Sequence, residues 1–200
     1  MSQSLRFAAR TAILLAAFAV TTAAQTSVWE FDPTHMNVGF SVRHLGVSNV
    51  NGNFGKASGT LAWDEKDITK SSVEATIDVA SLNTQNADRD NHLRSADFFD
   101  AAKFPTITFK STRVENAGNG RLRVTGNLTI KGVTKSVVLE VEGPSAPVKF
   151  GNATKSGLTA TTRINRKDFG LTWNRVLETG GLAVGEEVKI TLELELNKKG

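Results

Sequence analysis

Asn86-Ala-Asp-Arg-Asp-Asn-His-Leu-Arg-Ser-Ala-Asp-Phe-Phe-Asp-Ala-Ala-Lys-Phe-Pro-Thr-Ile-Thr-Phe-Lys-Ser111 is the stretch in which the chain changes its rule. Asp88, Arg89, Asp90, His92, Arg94 and Asp97 crowd its first part, Phe98 and Phe99 follow, and an alternating strand restarts after Pro105. Ser95 can cap a short helical turn over Ala96 to Asp100, and Pro105 stops helix from running into the next strand. A charged-then-aromatic helical segment between strands suits a lid at the end of a barrel. The alternative is a plain crossover whose two phenylalanines fill core.

Working outward, both flanks alternate with a period of two residues. Met36, Val38, Phe40 and Val42 alternate with polar neighbours, as do Leu61 and Trp63, then Val73 to Val79, then Ile107 and Phe109. Leu122, Val124, Leu128 and Ile130 lead to a hairpin at Lys131-Gly132, and Val137, Leu139 and Val141 return. A weaker strand spans Leu158 to Ile164, and Val188, Ile190, Leu192, Leu194 and Leu196 close the chain. This period turns one apolar face inward on each strand. Turns are expected at Gly52-Asn53, Asn116 to Gly120 and Gly151-Asn152. About eight such strands must close or stack. We favour an all-β, antiparallel eight-stranded barrel, whose interior is just wide enough for one ligand, over a sandwich, which usually has shorter, evenly spaced strands and no charged helical insertion. Phe40, Phe54, Trp63, Phe109 and Trp173 are the expected inward aromatics.

Arg6 and Arg10, the apolar run Ala12 to Val20, and Thr22-Ala23-Ala24 have the order of a secretory signal peptide, with cleavage expected after Ala24. Residues 25–200 then form one domain, exported most simply to a periplasm, although full secretion would use the same leader. The apolar run is too short to span a membrane, and no later stretch does better. Losing two arginines lowers the formal charge from +4 to +2, with no basic stripe for nucleic acid. Without cysteine there is no disulfide framework and no thiol nucleophile.

Catalytic signatures are sparse. The three histidines, His35, His44 and His92, lack the spacing that puts two metal ligands on one helical face. We therefore expect no stoichiometric metal and no cofactor. There is no G-x-S-x-G elbow and no glycine-rich phosphate loop opening a helix. The acid pairs Asp88 with Asp90 and Glu186 with Glu187 read as solvated charges or partners of nearby basic groups. Inward apolar positions serve a ligand cavity and a filled core equally well.

Several stretches, taken together, resemble the YceI family of periplasmic, lipocalin-like proteins. They are Phe31 to His35 with Val38 to Gly46, Ser72 to Leu82, Arg89 to Asp100 with Phe104-Pro105, Gly126 to Lys135, Arg166 to Asn174, and Val184 to Ile190. The resemblance implies a lipocalin-like barrel holding a polyisoprenoid, a quinone-like lipid or another long amphiphile, with some members linked to stress responses. It puts Arg43, His44, Arg89, His92, Phe98, Phe99, Phe169 and Trp173 in the family's motifs. The expected lining adds Phe40, Val42, Phe109, Leu128 and Ile190, and Arg43, Arg89 or Lys103 could meet a polar head at the mouth. The competing readings are an enzyme acting on such a lipid, with His44 or His92 as general base, and a ligand-free stress-response barrel. Aromatics exposed at the mouth could also be buried in a homodimer.

Overall fold

The computed structural model describes residues 26–178 and 180–200, so the expected leader lies outside the described residues. The strands are β1 (Thr26–His44), β2 (Ser48–Phe54), β3 (Ala57–Asp64), β4 (Ser72–Asp78), β5 (Leu82–Asn83), β6 (Thr106–Gly118), β7 (Arg121–Ile130), β8 (Val133–Glu142), β9 (Val148–Phe150), β10 (Ala153–Asn165) and β11 (Val184–Lys198). One helix, α1 (Ala87–Arg94), lies between β5 and β6. Hydrogen-bonded neighbours run β11-β10-β8-β7-β6-β4-β3-β1, and β11 pairs with β1 to close the ring. β3 pairs with the start of β1 and β2 with its end, so β2 and β3 together form one interrupted stave. This is the expected eight-stranded antiparallel barrel with a short helix.

Alternation holds within strands and switches parity at two bulges. In β1, Trp29 and Phe31 are the inward residues first, and Val38, Phe40 and Val42 afterwards, across a register shift between Phe31 and Met36. Pro33 sits inside that irregularity, where a missing ladder N–H costs nothing. In β6 a shift between Ser111 and Arg113 carries the inward face from Phe109 to Val114. The Lys131-Gly132 hairpin forms as expected, with φ of 49° and 75°, the left-handed pair that suits a two-residue turn. Gly52-Asn53 is not a turn but lies within β2; the chain reverses earlier, at Leu45-Gly46-Val47.

The helix also starts earlier than the sequence suggested. Asn86 caps it by accepting from the Arg89 N–H, Asp88 and Asp90 fall in its first turn, and His92 and Arg94 in its last. Acid early and base late matches the helix dipole. Ser95, read as an N-cap, is the C-cap, and Ala96 to Phe99 form a turn beyond it.

The barrel is closed differently at its two ends. At the tryptophan end, Trp29 and Leu196 are fully buried and pack with Leu61, Phe31 and Trp63. At the plug end, α1 and the turn after it bring Phe98 and Phe99 onto a cluster with Phe54, Leu128, Ile130 and Phe169.

Candidate functional site

Between the two closures lies a cavity of about 230 Å³. Its wall runs from Phe31, Leu61 and Ile68 at the tryptophan end, past Phe109, Leu128 and Ile190, to Phe98, Phe99 and Phe169 at the plug end. Ser71, Ser72, Thr162 and Arg166 border it, yet the surface turned to the cavity is almost wholly apolar. Arg166 explains how a cation can sit there. Its guanidinium donates to the carbonyls of Leu171, Trp173 (2.9 Å), Gly185 (2.8 Å) and Val184 (3.2 Å), leaving its methylene stem for the wall. Burial lowers its pKa, opposed by Glu186. Arg166 thus ties the β11 entry to the loop after Phe169, a role no local signal reveals.

Glycines keep the bore open. A Cβ on Gly126 would meet the Phe109 ring at 2.3 Å, and one on Gly52 the Phe40 ring at 2.5 Å. Both rings lie against the wall over bare backbone instead of crossing the bore.

Of the expected lining residues, Phe40, Val42, Phe98, Phe99, Phe109, Leu128, Phe169 and Ile190 border the cavity. Arg43, His44, Arg89, His92 and Trp173 do not. Arg43 is exposed at the rim, donating to the Gly46 carbonyl at 3.1 Å. His44 pairs with Ser48 and Val184 where β1 ends. Arg89 donates to the Thr84 hydroxyl and carbonyl, both at 2.7 Å. Lys103 is exposed over the Phe104 ring. Trp63 and Trp173 are not wall residues either: Trp63 packs on Trp29, and Trp173 on His92 and Phe98.

The charged part of the plug is spent on holding it in place. Buried Asp90 accepts from the Thr84 N–H (2.8 Å) and hydroxyl (2.5 Å). Arg94 reaches the Leu82 carbonyl at 2.7 Å, and Lys131 the Ala96 carbonyl at 2.9 Å. His92 Nε2 meets Asp97 at 2.9 Å, with its ring edge against Phe98 and Trp173. Neither His44 nor His92 faces the bore, where a general base would have to meet a buried substrate.

A second cluster lies outside the barrel. Asp32, His35 and Glu195 converge with geometry that a metal could use, and Lys155 stands among them, 2.8 Å from Asp32 and in contact with Glu195. The Lys155 ammonium, aided by Thr34, holds the Asp32 carboxyl far below the usual carboxylate range, and the two carboxylates raise Lys155. The protein's own ammonium thus fills the position a cation would take. It joins β10 to β1 and β11.

The model of the YceI-like domain matches residues 29–196. A UPF0312 protein of Vibrio cholerae is 44% identical over 137 residues, covering 68% of this chain and 72% of the relative. The crystal structure of BcnA from Burkholderia cenocepacia superposes with a TM-score of 0.70 at 27% identity, covering 82% of this chain and 98% of BcnA. A polyisoprenoid-binding domain from Saccharophagus degradans, implicated in plant cell wall breakdown, has a TM-score of 0.63 at 18% identity and covers 86% and 98% of the two chains. At that identity the likeness is one of fold.

Proposed function

The chain belongs to the YceI-like domain family, and from that premise we propose that it is a non-catalytic periplasmic carrier of a long apolar amphiphile, of isoprenoid or quinone-like type. The observation that carries this reading is the long apolar cavity between the two barrel closures. Each methylene moved from water into such a wall gains about 0.8 kcal/mol, so a long tail supplies useful affinity without a polar contact. A polar head finds no free partner inside, because the Arg166 guanidinium is taken up by backbone carbonyls. The head therefore stays outside, near the rim. The secretory order of residues 1–24 supports the periplasmic assignment.

Mass spectrometry of lipid extracted from gently purified protein tests the proposal. The expected result is an unchanged long-chain lipid in near-equal amount to protein. Protein that yields no lipid and takes up no long-chain polyprenol on titration would remove the carrier function. A cleaved or modified product would turn it into an enzyme.

A further inference from the structure

We propose that the plug-end rim made by the Leu45-Gly46-Val47 turn and by residues 174–178 and 180–183 docks onto anionic phospholipid bilayers. These two segments are neighbours: the Leu45 N–H donates to the Ala183 carbonyl at 2.8 Å, and Val176 bridges to Leu182 within the loop. Together they expose large apolar side chains at successive tips. Val47 is 75% and Val176 72% exposed, and Leu45 and Leu182 flank them, also exposed. Isolated apolar residues on a surface are ordinary; four on two adjoining tips form a patch.

The charge around the patch selects the partner. Arg43 and Arg175 are exposed beside it, and among the described residues neither meets a carboxylate within ion-pair distance. Positions 43–49 contain no acid, and Glu178 is the one acid in 174–183. Apolar tips flanked by cations match an interface of acyl chains beneath anionic phosphates. A second copy of the chain fits less well. A twofold contact through this face sets the same patch against itself, so two arginines from each copy would face only one acid from the other. The patch also adjoins the cavity: Val42 and Val184 line it, and Val184 pairs with His44, one residue before Leu45. Docking would hold the rim of the cavity at the lipid surface. The inference does not rest on the carrier reading, since it is tested on delipidated protein.

The molecule carries its own control. Val148 and Phe150 of β9 are equally exposed, at the tryptophan end. Co-sedimentation of delipidated protein with vesicles of equal parts phosphatidylcholine and phosphatidylglycerol measures the affinity. Val47→Asp with Val176→Asp is expected to weaken binding at least about tenfold, and Arg43→Glu or Arg175→Glu about fivefold each. Val148→Asp with Phe150→Asp should leave binding unchanged. The chain has no cysteine, so Val47→Cys and Phe150→Cys can each carry an environment-sensitive dye without a folding risk from charge. Only the dye at position 47 should report an apolar surrounding when vesicles are added. No vesicle binding by the wild type, binding lost through the β9 variant, or a response from the dye at position 150 alone would each overturn the inference. So would a rim variant that converts a dimer to a monomer by light scattering, since the face would then belong to a second copy.

Discussion

The two ends of the barrel are closed by different physics. At the tryptophan end the closure is made by the staves themselves: Trp29 on β1, Leu61 and Trp63 on β3, and Leu196 on β11 pack into one cluster. Removing that closure means unpairing the barrel. At the plug end the closure is a separate segment, residues 84–104, folded on itself by bonds such as Asp90 to Thr84 and fastened by Arg94 to the Leu82 carbonyl of β5 and by Lys131 to the Ala96 carbonyl. No strand pairing runs through this segment, so it can open at the cost of the Phe98 and Phe99 contacts and a few side-chain bonds while the ladder stays intact. Traffic into the cavity is therefore expected at the plug end, which is also where the apolar rim lies.

The contrast is tested most severely by Trp29→Ala. Trp29 is fully buried and does not border the cavity, and its Nε1 donates to the Ser27 hydroxyl at 2.9 Å. Truncation should cost about 3–5 kcal/mol of global stability in denaturant melts. A loss below about 1 kcal/mol would mean the tryptophan end is not a permanent closure. Asp90→Ala comes next. It leaves the buried Thr84 N–H without its acceptor, at a cost of about 1–3 kcal/mol. Its signature should be local: hydrogen exchange speeds up across 84–104 and cargo exchanges faster, while β1 and β11 amides stay protected. Uniform loss of protection would make the plug one cooperative piece with the barrel.

Leu128→Trp has a smaller expected effect. Leu128 is buried and borders the cavity from β7. The indole has open space to enter, so the stability change should stay under about 1 kcal/mol while lipid uptake is lost. A drop of about 1–3 kcal/mol, the strain of overpacking, would say that the bore behaves as a filled core.

How much of this was legible in the sequence follows from the range of each interaction. The barrel was written locally: Val188 to Leu196 alternates without interruption, and Lys131-Gly132 carries its own turn chemistry. The wall residues followed from that parity. The parity switch after Ser111 was hidden, because a bulge can insert residues without any compositional mark, whereas Pro33 was the one local sign of the switch in β1. The helix was misplaced because Ser95 is as good a cap in appearance as Asn86, and only the bonds of Asp90 and Arg94 decide between them. Contacts between distant positions left no trace at all. Trp173 meets His92 edge-on, and Lys155 meets Asp32 across 123 positions.

That last pair gives the smallest effect and the one that depends on pH. Lys155, then Thr34, hold the Asp32 carboxyl far below its ordinary range. The folded value lies below the unfolded one, so the contribution is complete above about pH 4 and is lost progressively as pH falls further. Lys155 is shifted the other way, so its share is present below its unfolded value of about 10.4 and is lost as pH rises past it. Asp32→Asn keeps an oxygen that can accept from the Thr34 N–H and hydroxyl, as Asp32 does at 2.9 and 2.6 Å, while its amide N–H replaces the oxygen that accepts from Lys155, so the ion pair is removed together with its hydrogen bond. The variant should melt slightly below the wild type at pH 7. The gap should narrow progressively as pH falls below about 4, because the wild type loses there what the variant never had. The same cluster joins β10 to β1 and β11 near the tryptophan end, so plug-end hydrogen exchange should not change. A gap that is constant with pH would mean that the Asp32 charge adds nothing to the closure, which would then rest on its apolar packing alone.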